Sequence, residues 1–496
     1  MAVTPKDAAA IILLKDPSDP HVFWVQRNPK LAFMGGFHAF PGGQLDKADS
    51  AIEVAGADDK DAAAMRVCAA RELFEETGVL IANGVERLAA EQLLEKRRAV
   101  SSDESTFAAF IADNDLDIVA QSFIPAGRWI TPPFAPRRFD TWFFLVWLPE
   151  GQEPRIEKGE LIAGEWIRPA DALEKWNHGN IIMAPPIFYS LRVLAEMGRD
   201  IARAGVELTS LTRANGGTIR RIEFRPGIIL FPLLTPTLPP ATHTNCYIIG
   251  GQEVVIIDPA SPYEEEQREL DLFVGSLIAE GRRVREIILT HHHPDHTGGV
   301  NHLSSRLGVP VAAQALTASR IAHSIRVDRL IADEELIELR GDPGWRLRAL
   351  HTPGHTRGHL CFYEEISGAV ITGDLVVGIG TVVIDPPEGN MRQYFDSLHR
   401  LLALPDLSFL FPAHGPAISS ARNKLEEYVE HRTMREARIL DAVRSGAALP
   451  HEIVPLAYTD VSPVMYGLAE RSTLAHLEKL EEEGLVTRRN GAYLVA

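Results

Sequence analysis

Cysteine is scarce in this sequence: Cys68, Cys246 and Cys361 are the only three in 496 residues. They are far apart, odd in number and absent from any CxxC pair. That excludes a disulfide framework and a cysteine-based zinc finger, and it fits a reducing, cytoplasmic setting. Positive charge is also short. Lys and Arg number 50 against 67 Asp and Glu, a net charge of −17, so a general electrostatic grip on nucleic acid is not expected, although a local basic groove stays open. No apolar run approaches the length of a membrane span, so no membrane partner is expected. The opening "AAAIILLKD", with Asp7 ahead of it and Lys15 closing it, reads as a strand rather than an export signal. Internal repeats and low-complexity tracts are missing too.

What is present is an ordinary globular composition, 45% hydrophobic and 24% charged, in a chain long enough for two or three domains. Residues 8–14 and 21–27 read as strands around the turn "DPSDP", followed by the Gly/Pro-rich loop "MGGFHAFPGGQ". A helix is expected over 61–78, closed by Gly78, another helical stretch over about 89–112, and a helix near 187–203. A join is placed near 215–222, before "TPTLPPATHTN". After it, short apolar strands alternate with helices, an α/β pattern with function at strand ends. From about 422 the chain is mostly helical and finishes in two short strands around Asn490-Gly491, a hairpin signal. The expected domains are 1–215, 222–425 and 426–496, the last a small winged-helix unit.

"THHHPDHTGG", residues 290–299, follows the buried strand "EIILT". Alternation puts His291 and His293 on one face and His292 on the other, while Asp295 and His296 come from the turn at Pro294. Two displaced pairs suit two neighbouring metals better than one. Three later stretches, each after an apolar strand, offer further ligands: His355 in "HTPGHTRGH", Asp374 in "ITGDL", His414 in "FPAHGP". Imidazole and carboxylate donors without thiolate suit zinc, and also manganese or iron. Two metals about 3.5–4 Å apart would clamp a hydroxide and polarise the bond being cleaved.

These motifs in this order, with Asp258 in "VVIIDPA", resemble the metallo-β-lactamase superfamily. The resemblance implies an αββα sandwich. It implies that His291, His293 and His355 hold one Zn²⁺, that Asp295, His296 and His414 hold a second, that Asp374 bridges them, and that Asp258 orients the ligand loop. Asp295 is the candidate catalytic carboxylate. His359, four residues after His355, is left as either a proton donor or a structural support. "GDLVVGIGTVVIDPPEGNMRQYFDSLHRLL", "YVEHRTMREARIL" and the tail "VSPVMYGLAERSTLAHLEKLEEEGLV" are similar to a group of β-lactamase-like endoribonucleases, which implies single-stranded RNA as substrate. Against RNA stand the acidic balance and the tail helix, where Glu478, Glu481, Glu482 and Glu483 face Lys479 and Arg471. That helix reads as packing or interface rather than base readout. The alternative is hydrolysis of a thioester on acyl-CoA or acyl-glutathione, as in the glyoxalase II branch.

In the front half, "RELFEETG" sets Glu72, Glu75 and Glu76 on one helical face, a pattern that binds Mg²⁺ or Mn²⁺ and through it a diphosphate. Arg71 can pair with a glutamate and fix its rotamer. With the upstream "FPGG", this resembles a Nudix box with a long insert. The distance from Gly43 to Arg71 is about twice the usual one, and Ala63 stands where the upstream glutamate is expected. "FPGGQLDKAD", "WITPPFAPRRFDTWFF" and "APPIFYSL" are similar to the peroxisomal CoA-diphosphatase branch. That implies an α/β/α sandwich hydrolysing a CoA- or nucleotide-type diphosphate, with the three glutamates as metal ligands and Glu75 the candidate base. A Nudix fold kept for binding or regulation is the competing expectation. The whole is thus expected to be an α/β multidomain hydrolase of the cytoplasm, acting on RNA or on a small thioester or diphosphate, with homodimerisation left open.

Overall fold

The computed structural model describes residues 3–31, 34–102, 105–133, 135, 137–214 and 220–496. The chain divides into two compact units, Met1–Pro226 and Gly227–Ala496; the expected join at 215–222 lies partly outside the described residues.

The first unit is built on strand Lys6–Lys15. Its residues Ile11 to Leu14 are all fully buried, so the strand is covered on both faces and reads as a continuous apolar run rather than an alternating one. It pairs in parallel with Phe139–Trp147 and antiparallel with His21–Arg27 and Gly42–Gln44. Ile11 and Leu13 point to one face, where helix Lys60–Thr77 contributes Met65, Leu73 and Phe74. Ile12 and Leu14 point to the other, against Trp176, Leu191 and Leu208 of three later helices. Each such side chain contributes about 1.5–3 kcal/mol of burial. The result is a helix–sheet–helix sandwich. Helix Lys60–Thr77 starts on the Asp59 cap and stops at Gly78, whose φ of 78° and N–H to Phe74 O close it.

Two sequence expectations are corrected here. The stretch 89–112 is two helices, Ala90–Ser101 and Phe107–Asp113, because Thr106 caps the second by accepting from Ala109 N–H. The helix near 187–203 is also two, Pro185–Met197 and Ile201–Ala214; Asp200 restarts the chain by accepting from Arg203 N–H at 3.1 Å.

The second unit holds two sheets. One runs Arg329–Ile331, Val311–Gln314, Arg283–Ile288, Glu253–Ile257, His243–Gly250, Ile228–Leu234; the other runs Leu336–Leu339, Trp345–His351, Leu360–Glu364, Ala369–Gly373, Phe409–Pro412. Helix Glu264–Ala279 covers the first sheet through Leu270, Val274 and Leu277. Helix Met391–Leu402 covers the second through Tyr394, Leu398 and Leu401. Between the sheets Tyr247 meets Phe411 edge-on at 6.0 Å, and its hydroxyl donates to Pro412 O at 2.7 Å. This is an αββα sandwich.

The C-terminal helices Ala421–Arg444, Pro450–Ala457 and Tyr466–Glu482, with the hairpin Val486–Arg489 and Ala492–Val495, gather a small core around Ile439, Ile453, Leu477, Val486 and Tyr493. Asn490 and Gly491 turn the hairpin at φ 49° and 86°. Ala475 joins the core under the second sheet, and Arg392 Nε reaches Glu482 Oε2 at 2.7 Å. Glu483 pairs with Lys479 at 2.9 Å, and Glu481 accepts from Arg488 N–H at 3.1 Å. Glu481, Glu482 and Glu483 of the tail helix are thus each paired within the second unit. Among the described residues no helix is long and apolar enough to cross a membrane.

Candidate metal centre

Both sheets of the second unit deliver their polar residues at one edge. Strands Glu253–Ile257 and Arg283–Ile288 run parallel, so the residues after them emerge side by side. Asp258, held at φ 51°, accepts from Thr290 N–H at 2.9 Å and from Thr290 Oγ1 at 2.6 Å. From the second sheet come the loop after Trp345–His351, carrying His355, and the ends of the parallel pair Ala369–Gly373 and Phe409–Pro412, carrying Asp374 and His414.

Seven side chains meet there in two groups: His291, His293, His355 and Asp374, then Asp295, His296 and His414, with ligand atoms within 4.8 Å inside each group. Asp374 faces both. Its Oδ2 lies 3.6 Å from His296 Nε2 and from His355 Nε2, and its Oδ1 lies 3.3 Å from His414 Nε2. Asp295 Oδ2 is 3.6 Å from His414 Nε2. His292, half-buried, belongs to neither group.

The ring orientations test whether these residues fit cations. His296 Nδ1 donates to Asp258 Oδ2 at 2.8 Å, His355 Nδ1 to Val383 O at 2.9 Å, and His414 Nδ1 to His243 O at 2.9 Å. Each bond commits Nδ1 as donor and leaves Nε2 as the lone-pair atom aimed inward, the arrangement that prepares histidine for a metal. His291 Nε2 and His355 Nε2 both face His293 Nδ1, at 2.9 and 3.1 Å. His296 Nε2 is buried with no hydrogen-bond partner. Facing ring nitrogens in a dry setting are unfavourable alone and are satisfied by a divalent cation. Burial drives His293 down to about 2 and holds His291 and His355 below the usual imidazole range, so their neutral, ligating forms prevail. For His296 and His414 burial pulls the same way, but it is outweighed by carboxylates, Asp374 foremost, and both rings lie above the usual range. The charges that favour a proton there also favour a cation. The residues fit two divalent metals.

His359 is not placed as a proton donor. Its Nε2 accepts from the backbone N–H of Asp374 at 3.1 Å, and its Nδ1 meets Thr352 Oγ1 at 3.0 Å. Both nitrogens are engaged, so it supports Asp374 from behind.

The first unit presents a different arrangement. Glu72, Glu75 and Glu76 lie near the end of Lys60–Thr77, yet among the described residues they do not converge as a three-donor cluster. Arg71 Nη1 donates to Glu72 Oε1 at 2.8 Å and reaches Glu75 at 3.4 Å. Glu76 Oε2 accepts from Gly42 N–H at 3.1 Å. A Cβ on Gly43 would stand 2.5 Å from the Glu72 carboxyl, so a side chain there would push that carboxylate aside. The sequence reading missed one residue. Asp49, almost wholly buried, grips Arg71 with both oxygens, at 2.8 Å to Nε and 3.0 Å to Nη2. Counting back from Arg71 led to Ala63 and a missing carboxylate. Counting forward six residues from Gly43 leads to Asp49, and the insert lies after it.

Burial pushes Glu72 up to about 7, against the pull of Arg71, and Glu76 up to about 8. Both lie above the unfolded value of 4.5, so the protonated forms favour the fold. That stability is fully present below about pH 4.5 and is lost as pH rises through 7 to 8. In chelator-treated protein, Glu76→Gln should therefore raise the melting temperature relative to wild type progressively more from pH 5 to 8.5. A difference that does not change with pH would contradict the assignment.

Three family models match successive parts of the chain. The metallo-beta-lactamase superfamily model matches residues 239–414, the NUDT19 Nudix domain model residues 53–194, and the beta-lactamase associated winged helix domain model residues 450–492. The chain is similar to atrochrysone carboxyl ACP thioesterase of Aspergillus fumigatus, 30% identical over 204 residues, covering 41% of this chain and 60% of that protein. It is also similar to lactamase-like protein nscB of Trichophyton verrucosum, 31% identical over 276 residues, covering 50% of this chain and 90% of that protein. A solved metallo-beta-lactamase family protein from Thermus thermophilus is 25% identical, with 55% of this chain and 99% of that chain covered at a TM-score of 0.46.

Proposed function

This chain belongs to the metallo-β-lactamase superfamily, and on that premise we propose that its second unit is a dinuclear-zinc hydrolase of an acyl thioester, joined to a Nudix unit that hydrolyses a CoA- or nucleotide-type diphosphate. The chain is a multidomain α/β hydrolase with Nudix, metallo-β-lactamase and winged-helix domains, and its histidine–aspartate cluster suits divalent metals.

One observation carries the choice of thioester. A cleft of about 720 Å³ opens on Asp295, His355, Asp374 and His414, within the roughly 300–1,000 Å³ usual for small-molecule sites. Its surface is more apolar than polar, with aliphatic side chains and prolines set among charged groups, and its arginines are already engaged. Arg435 is held by Asp460 at 2.8 and 2.9 Å, Arg471 by Asp385 at 3.0 Å, and Arg432, buried, donates to Val382 O. A polyanion gains little from guanidinium groups so committed, whereas an acyl group gains from the apolar walls. The thioesterase among the similar proteins points the same way.

In the proposed reaction water adds to the thioester carbonyl, the C–S bond breaks, and a carboxylic acid and a thiol leave. Cations held by His291, His293, His355 and Asp374 and by Asp295, His296 and His414 would supply Lewis acidity and lower the pKa of a water. The chain's own groups set the rest. Asp258, Val383 O and His243 O keep His296, His355 and His414 in the ligating tautomer. Asp295, at the cleft floor, takes the water's proton. In the first unit Glu72, Glu75 and Glu76 would have to draw together from their partners Arg71 and Gly42 N–H to hold Mg²⁺ or Mn²⁺ on the diphosphate.

The test offers wild type, Asp295→Ala and Glu75→Gln a panel of acyl-CoA and acyl-glutathione thioesters, single-stranded RNA, and CoA and nucleotide diphosphates, with Zn²⁺ and Mg²⁺ varied separately. Thioester turnover lost only in Asp295→Ala and diphosphate turnover lost only in Glu75→Gln are expected. RNA cleavage that disappears in Asp295→Ala, with no thioester turned over, would replace the thioester reading by the endoribonuclease one. Diphosphate binding without phosphate release would make the first unit a binding module.

A further inference from the structure

We propose that the C-terminal segment around residues 461–468 is the acyl-selecting wall of the active-site cleft, with Val461, Met465 and Leu468 receiving an apolar acyl chain. The inference rests on the thioester reading and extends it to the substrate's acyl part.

The sequence points to packing or an interface for the acidic tail helix and assigns no role to residues 461–468. The structure places part of that segment in the cleft. Val461, Met465 and Leu468, each partly exposed, line the same cavity as Asp374 and His414, and Leu238 and Ile379 line it from two other loops. The wall is aliphatic on its cleft side, and its charged neighbours are neutralised within the protein: Arg435 by Asp460, and Arg471 by Asp385.

The wall is also fixed relative to the reacting centre. Arg471 ties it to Asp385, and Arg432 of helix Ala421–Arg444 donates to Val382 O. The next carbonyl, Val383 O, accepts from the metal-facing His355. One loop therefore joins the wall to the ligand cluster, so the distance from scissile carbonyl to wall is set by the fold. A cavity with a reactive floor and an aliphatic wall at fixed distance measures chain length. Burial of each added methylene favours binding by roughly three- to four-fold until the wall is reached.

The experiment measures kcat/KM for acetyl, butyryl, octanoyl and decanoyl thioesters with full-length wild type, Leu468→Trp and Leu468→Ala. Wild type should gain roughly three-fold per methylene over part of the series. Leu468→Trp should lose at least tenfold on decanoyl, through KM, while the acetyl substrate stays within twofold. Leu468→Ala should move the optimum to longer chains. Equal effects of Leu468→Trp on acetyl and decanoyl substrates would overturn the proposal. If wild type hydrolyses no thioester, the thioester reading fails, and the wall is judged by calorimetric binding of a non-hydrolysable decanoyl thioether. Binding weakened tenfold or more by Leu468→Trp supports the wall; absent binding, or binding indifferent to the substitution, overturns it.

Discussion

Asp374→Ala removes hydrolysis at the histidine cluster, with kcat/KM falling at least about a thousandfold, equivalent to about 4 kcal/mol of transition-state stabilisation. Asp374 is the residue whose carboxylate faces both ligand groups, at 3.3–3.6 Å from His296, His355 and His414. The histidines around it withdraw its proton. Burial opposes ionisation, but His414 and His296 outweigh it and hold Asp374 well below the usual carboxylate range. Alanine leaves clustered imidazoles with one fewer counter-charge. The metal content should fall from two equivalents per chain, read by elemental analysis. The backbone should hold, because His359 Nε2 accepts from the N–H of residue 374 whatever its side chain. A folded variant that keeps two metals and more than a tenth of wild-type activity would refute the bridging position.

Asp49→Ala destabilises the first unit by about 3 kcal/mol, because it removes the buried bidentate acceptor of Arg71 and leaves Nε without its partner. The side chains of Asp49 and Arg71 are only 2% and 13% exposed, so solvent screening offers little relief. For a unit of this size the first melting transition should fall by roughly 5–10 °C. Asp49→Asn keeps an acceptor and should lose less. The consequence reaches the glutamates, since Arg71 released from Asp49 is free to turn further onto Glu72 and Glu75, its neighbours at 2.8 and 3.4 Å. Mg²⁺ affinity, measured at a temperature where the variant is folded, should fall at least tenfold. Unchanged stability and unchanged Mg²⁺ affinity would show that Asp49 does not organise this site.

The two substitutions probe features that were unequally visible in the sequence. The meeting of His291, His293, Asp295 and His296 was legible because they lie within six residues at the end of one apolar strand, where chain geometry over a few residues decides direction. His355, Asp374 and His414 were legible because each follows its own apolar strand. Asp49 was not legible. The insert lies between it and Arg71, and offsets counted backward along a chain fail across an insert. His359 was ambiguous for a related reason. Its spacing from His355 suggests a shared face, whereas the loop turns its ring toward the backbone of Asp374.

The sequence by itself determined the elements and the donor types. Continuous apolar runs specified buried strands, Asp59 and Gly78 the ends of the glutamate-bearing helix, Asn490-Gly491 the final hairpin, and histidine and aspartate without thiolate the donors of the cluster. These are local matters of backbone sterics, capping and donor chemistry, which act over a handful of residues. The tertiary structure alone decided that Asp374 faces both ligand groups, that Asp49 answers Arg71, and that Val461, Met465 and Leu468 from the tail line the cleft opening on His414. Such meetings join residues tens of positions apart. They follow from how sheets and helices pack to exclude water, a condition on the whole chain that no short stretch of it carries.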